Sequence, residues 1–118
     1  MASKSTGEKK GDVFYLEQIM TDLAFLVSHT SGKTKEEIES NELLVDSIMF
    51  RLMQISENCD KLTPAFKEAS PNLPWRELKG MRNRIVHDYG SVDMTVIYLT
   101  VTKDIPCMRD ALKSLAEG

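Results

Sequence analysis

Two cysteines, four prolines and a single tryptophan among 118 residues leave this chain few devices for stapling or breaking its backbone. Cys59 and Cys107 are too few for a disulfide framework and lack CxxC spacing. Both read as reduced, buried thiols, with a disulfide pair or a metal site as the lesser alternative. No apolar run nears the roughly 20 residues of a membrane span, so no membrane partner is expected. Net positive charge is missing as well. A formal charge of −3 excludes a protein that coats nucleic acid by bulk electrostatics, though not a local basic site. The first eleven residues carry no apolar stretch of the kind an export signal needs, and the expected location is cytoplasmic. HExxH, a glycine-rich phosphate loop and a GxSxG elbow are all absent from the sequence. Zinc proteases, P-loop enzymes and serine hydrolases therefore have no support, and neither a metal nor a cofactor is expected.

What the sequence does have is helical periodicity. Its length fits one domain that can bury a core without covalent help. Residues 1–11 are small, polar and charged and are expected to form a disordered tail ahead of a helical domain over 12–118. Asp12 stands where an N-cap would, and Val13, Leu16, Met20, Leu23 and Val27 follow at spacings of three and four, widened by Phe14, Ile19 and Leu26. This helix should fade at Ser31-Gly32. Thr34 with Glu37 matches a capping box and opens a turn or short helix. From about Asn41 to Leu62 a second long helix carries Val45, Ile48, Leu52, Ile55, Cys59 and Leu62 on one face, with Leu44, Met49 and Met53 beside it. Met49 and Met53 fit core filling better than an interface. Thr63-Pro64 and Ser70-Pro71 predict a loop with one helical turn, and Pro74 suits the first position of a third helix that ends near Tyr89-Gly90. A fourth helix starts near Asp93, and a last short one starts near Pro106 with Met108, Leu112 and Leu115 as its stripe. The β-branched run through Thr95, Val96, Ile97, Thr100, Val101 and Thr102 would suit a strand, but nothing elsewhere offers a partner strand, so helix is expected. The fold class is therefore all-α, an antiparallel bundle of four to five helices in a single domain.

Chemistry concentrates in 75–89. Arg76, Lys79, Arg82 and Arg84 stand against Glu77 and Asp88, so an acidic protein gathers its positive charge beside one of its two histidines, His87. Phosphodiester chemistry asks for that combination: a guanidinium fork for phosphate oxygens and an imidazole able to exchange a proton. A solvated charged face that favours the helix dipole is the plainer alternative. On one straight helix Arg82 shares a face with Tyr89, and Asn83 with His87, whereas Arg82 and His87 point roughly 140° apart. All four converge only if the helix distorts, or if a two-fold axis brings two copies together, which is the better fit. His29, in His-Thr-Ser-Gly at the end of the first helix, fits a capping or solvent-facing role.

Pro74-Trp75-Arg76-Glu77-Leu78 and the following Gly80-Met81-Arg82-Asn83-Arg84-Ile85-Val86-His87-Asp88-Tyr89 resemble the signature of the HepT-like branch of the HEPN superfamily, an Arg, four residues, His, one residue, Tyr. The stretch from Arg51 through Glu57 to Leu62 is similar to the family's central helix, and Val92, Asp93, Ile97, Asp104, Pro106 and Leu112 fit its ending. The resemblance implies a dimerising helical bundle in which two motif copies share a cleft. It implies a metal-independent endoribonuclease that leaves 2′,3′-cyclic phosphate ends and acts as the toxin of a toxin–antitoxin pair. The implied partners are a second copy of the chain, an RNA substrate and a minimal nucleotidyltransferase antitoxin that adds AMP to Tyr89. Carried over, Arg82 binds the scissile phosphate, His87 exchanges the 2′-hydroxyl proton, Asn83 orients the phosphate and Tyr89 accepts AMP while helping to position substrate. Glu57 holds Arg82, and Arg84 supports the site. The alternative is a non-catalytic HEPN module that binds a nucleotide or a partner.

Overall fold

Helix-forming stripes broken at the predicted points give the chain its order: α1 (Asp12–Thr30), α2 (Lys35–Glu39), α3 (Glu42–Asp60), α4 (Pro64–Glu68), α5 (Trp75–His87), α6 (Met94–Leu99) and α7 (Ile105–Glu117). The computed structural model describes residues 10–117, and no strand occurs among them. The tail expected over 1–11 lies outside the described residues for 1–9, while Lys10 sets its ammonium over the Phe14 ring at 4.8 Å. The fold is the all-α bundle predicted, with α1, α3, α5 and the α6–α7 arm as its principal members.

Cross-helix contacts fix the directions. Asp12 at the start of α1 accepts from the Thr63 backbone at 2.8 Å and from its hydroxyl at 2.7 Å, just past the end of α3, so α1 and α3 run antiparallel. That contact also corrects the expected capping role of Asp12. The N-cap is Gly11, and Asp12 is the first helical residue, its carboxylate spent on fastening the next turn of chain. Tyr89 reaches back to Asp46 near the start of α3 while Arg82 meets Glu57 further along, so α5 is antiparallel to α3 too. α3 thus lies between α1 and α5, which explains its broad apolar surface. α7 covers the other side of α1.

The core gathers Ile19, Leu23 and Leu26 from α1, Ile48, Leu52 and Ile55 from α3, Leu78 and Ile85 from α5, and Ile97, Val101, Ile105, Met108 and Leu112 from the C-terminal arm. Met49 is buried and Met53 packs against this cluster, as core filling requires. The inner stripe of α1 is rotated from the predicted one: Val13 is 70% exposed, and the expected flanking residues Ile19 and Leu26 are fully buried. Leu115 likewise leaves the predicted inner stripe of α7 and stands exposed.

Short elements follow their caps. Thr34 and Glu37 form the reciprocal capping box, at 3.1 and 2.8 Å. α4 is the helical turn expected after Thr63, whose hydroxyl caps it. Gly32 takes φ 78° just past α1, a left-handed conformation that glycine adopts without strain. Between α6 and α7 the helix widens into a π turn over Thr100–Asp104. Pro106 accounts for the fault, since it has no N–H to give to the preceding turn. Thr100 and Thr102 bend the same stretch by returning their hydroxyls to the Val96 and Tyr98 carbonyls.

One expectation about cysteine fails. Cys59 is buried, and burial pushes its thiol up to about 12, with Lys67 lowering it and Asp60 raising it by lesser amounts. Cys107 is exposed on α7 instead of buried, because the stripe that dips into the core there runs through Ile105, Met108 and Leu112.

Candidate active site

α5 begins at Trp75, one residue later than predicted, with Pro74 as its N-cap, and ends two residues before the predicted limit. Asp88 leaves helical geometry at φ −155° and ψ 60°, its N–H closing the last turn onto the Arg84 carbonyl at 2.8 Å. A 3₁₀ turn over Tyr89–Ser91 follows, tied by the Ser91 N–H and hydroxyl to the Asp88 carbonyl. Despite this break Arg82 and Tyr89 both turn to α3, where Glu57 and Asp46 lie on one face. Tyr89 is carried off the α5 axis toward α3, and its hydroxyl donates to Asp46.

Arg82 also reaches α3, further along that helix. Its Nε and Nη2 donate to one Glu57 oxygen at 3.1 and 2.8 Å, and its Nη1 donates to the side-chain Oδ1 of Asn83 at 3.0 Å. Both members of the ion pair remain partly open to solvent. A pair of that kind adds only about 0.2–1 kcal/mol to stability, so its consequence is orientation. Glu57 and Asn83 together fix the guanidinium, and about a third of the Arg82 side chain stays exposed. Arg51, the other charged residue of the central-helix resemblance, turns away: it pairs with the buried Asp22 at 2.7 Å and lies 3.9 Å over the Phe25 ring. Its work is to neutralise a buried carboxylate.

His87 is exposed in the last turn of α5, where the helix dipole favours a positive charge. Its imidazole makes no hydrogen bond to the side chains of Arg82, Asn83 or Tyr89 among the described residues. Arg84 is exposed as well. Within one chain, then, Glu57, Arg82 and Asn83 come together, Tyr89 joins Asp46 instead, and His87 and Arg84 face solvent. Nothing in the sequence pattern points to Asp46: it lies 43 positions from Tyr89, and only the helix break brings the two into contact. The Tyr89 hydroxyl is raised above its ordinary value, first by the hydrogen bond to Asp46, then by burial and by the charge of the same carboxylate. His29 stacks on Phe25 with ring centroids 4.1 Å apart and bonds locally to the Phe25 carbonyl, as a helix-end residue would.

Tyr89 separates two hollows. One is an apolar groove of about 440 Å³ lined by Met49, Phe50, Met53, Ile85 and Val86. The other is a recess of about 410 Å³ that collects the carboxylates of Glu39, Glu42 and Asp46. Phe50, Val86 and Tyr89 are 53%, 45% and 48% exposed, a contiguous greasy rim for a chain with so much charge. No group of three or more His, Cys, Asp or Glu among the described residues could hold a metal ion.

Residues 19–115 match the family model described as ribonuclease HepT-like. A protein of Caldanaerobacter subterraneus subsp. tengcongensis, to which RNase activity is provisionally ascribed, is 29% identical over 87% of this chain and 92% of its own length. A protein of Thermococcus cleftensis named "Probable ribonuclease HepT" is 28% identical over 91% of this chain and 97% of its own length. No solved structure gives a significant match. With the match spanning most of the chain and the Arg82–His87–Tyr89 spacing inside it, the protein belongs to the HepT-like ribonuclease family.

Proposed function

We propose that the protein is a metal-independent endoribonuclease that works as a homodimer and acts as the toxin of a toxin–antitoxin pair. The observation that carries this reading is the Arg82 guanidinium, fixed by Glu57 through Nε and Nη2 and by the Asn83 side chain through Nη1 while about a third of the Arg82 side chain stays exposed. A fixed fork of this kind suits a phosphodiester oxygen, and holding it beforehand lowers the reorganisation needed as charge builds. In this reading Asn83 steadies the phosphate. His87 takes the proton from the 2′-hydroxyl, which attacks the neighbouring phosphorus; the 5′-oxygen leaves with a proton, and a 2′,3′-cyclic phosphate remains. One chain does not gather all these groups, and the exposed rim of Phe50, Val86 and Tyr89 supports a two-fold partner that would complete the set. Arg84 then adds charge near the substrate.

The test is incubation of a labelled single-stranded RNA with purified protein in EDTA. Cleavage leaving cyclic phosphate ends is the expected result. An intact RNA after incubation with protein unmodified at Tyr89 would favour the non-catalytic nucleotide- or partner-binding module.

Regulation in this reading falls on Tyr89. Tyr89 is a half-exposed residue that a nucleotidyltransferase antitoxin can reach, and that enzyme would join the phenolic oxygen to the α-phosphorus of ATP and release pyrophosphate, the phenolic proton passing to a base. Co-expression with such an enzyme should raise the mass of the chain in steps of one AMP, and Tyr89→Phe should stop the increase. A Tyr89→Phe chain that gains the same mass would move the modification elsewhere.

A further inference from the structure

At 100° per residue Arg76, Gly80, Asn83 and His87 fall within about 60° of one another on α5, a line about 16 Å long. All four are exposed. Lys79 flanks this line on one side and Arg84 on the other, both exposed, and neither they nor Arg76 forms an ion pair among the described residues. Gly80 sits in the middle. Glycine is a poor residue for a helix interior, and packing does not call for it here: a Cβ added at Gly80 would meet nothing within 4 Å, and its φ is not positive. Its effect is a bare strip of backbone between positive side chains.

The line runs from His87 to an open groove of about 460 Å³ at the start of α5. Leu73 and Trp75 give that groove an apolar wall, and Lys67, Glu68, Arg76 and Glu77 line it as well. The Trp75 ring is fixed by its Nε1, which donates to the Ser70 carbonyl at 2.9 Å.

We infer that this stripe and groove form a second RNA subsite, in which Arg76 and Lys79 hold phosphates of the single strand leading away from the scissile bond and the Trp75 groove takes an unpaired base. The inference rests on the ribonuclease reading and extends it from the reacting phosphate to its neighbours. Gly80 lets the sugar–phosphate backbone approach the helix between the two cations. The two glutamates offset the two cations of the groove, whereas the stripe carries no carboxylate on its line, so the base enters the groove and the phosphates stay on the stripe. Single-stranded nucleic acid is commonly held in this way, by cations along the backbone and an aromatic residue at a base.

The test uses a fluorescein-labelled single-stranded RNA of mixed sequence and the full chain carrying His87→Ala, so that bound RNA stays whole. Anisotropy gives the dissociation constant at several salt concentrations. Emission from Trp75, the sole tryptophan, reports on the groove. Adding Arg76→Gln and Lys79→Gln should weaken binding and lower the salt slope by about 1.4, since each phosphate contact on a single strand contributes about 0.7. RNA should change Trp75 emission in the parent protein and change it less in this variant. Lys103→Gln with Lys113→Gln, exposed positions on the C-terminal arm, removes the same charge and should leave the slope in place. An unaltered slope in the Arg76/Lys79 variant, an equal loss in the Lys103/Lys113 control, or RNA bound with no change in Trp75 emission would overturn the subsite. RNA cut by the wild type alongside any of these removes the subsite alone, whereas a chain that neither binds nor cuts RNA removes the ribonuclease reading with it.

Discussion

Replacing His87 by alanine is expected to slow RNA cleavage by about 10²–10⁴-fold, the usual worth of a positioned acid–base group. The same change should leave stability within about 0.5 kcal/mol, because the side chain is exposed and makes no cross-helix contact that folding needs. Cleavage kinetics and a thermal melt on one preparation check both halves. The contrast matters because most substitutions that lower activity do so by lowering the folded population. Here the imidazole sits past the buried residues Leu78 and Ile85, at a helix end whose geometry the backbone bond from Asp88 to Arg84 already closes. Cleavage by His87→Ala at the wild-type rate would remove the histidine from the mechanism and leave Arg82 and Asn83 as binding groups only.

An acidic side chain in the apolar rim should have the second large effect. Phe50→Glu, or Val86→Glu, is expected to turn a dimer into a folded monomer and to reduce cleavage by at least about 100-fold. A two-fold interface repeats every substitution, so one new carboxylate becomes two, each buried against an apolar surface. An uncompensated buried charge costs about 3–5 kcal/mol, and about 2.8 kcal/mol already weakens association 100-fold. Phe50 and Val86 are each about half exposed in the single chain, so the monomer itself should melt close to the wild type. Light scattering measures the loss of the dimer, and the RNA assay measures the loss of cleavage. A monomeric variant that still cuts at the wild-type rate would mean that one chain holds a complete site.

The long helices are legible in the sequence because each buries a stripe with a single period. α3 shows this best: of its predicted inner face, Ile48, Leu52, Ile55, Cys59 and Leu62 are buried and Val45 is half-buried. α1 is harder. Apolar residues lie nearly all round it, and spacing alone does not say whether Val13 or Ile19 faces inward; that depends on α3 and α7, which pack against it from two sides. The motif residues are legible as a pattern, but their arrangement is not. Helix propensity gives no reason for α5 to stop at His87, and the stop becomes intelligible only with Tyr89 bonded to Asp46, a residue of α3 that lies 43 positions before it. Asp12 is a similar case, since a carboxylate at a helix start reads as a cap until the chain beyond α3 supplies Thr63 as its partner. Local chemistry is written in order along the chain, whereas pairings between distant helices are decided by packing.

The bond between Tyr89 and Asp46 makes the end of α5 answerable to a single proton. The phenolic oxygen either gives that proton to Asp46 or carries some other substituent, and no state of the atom does both. A substituent bearing a phosphate would also set negative charge beside Asp46 and the recess it shares with Glu39 and Glu42, where like charges repel. Covalent change at one oxygen would therefore undo the fastening of the turn and repel the ring from its seat together, so that chemical marking and mechanical release are a single event at this corner of the bundle.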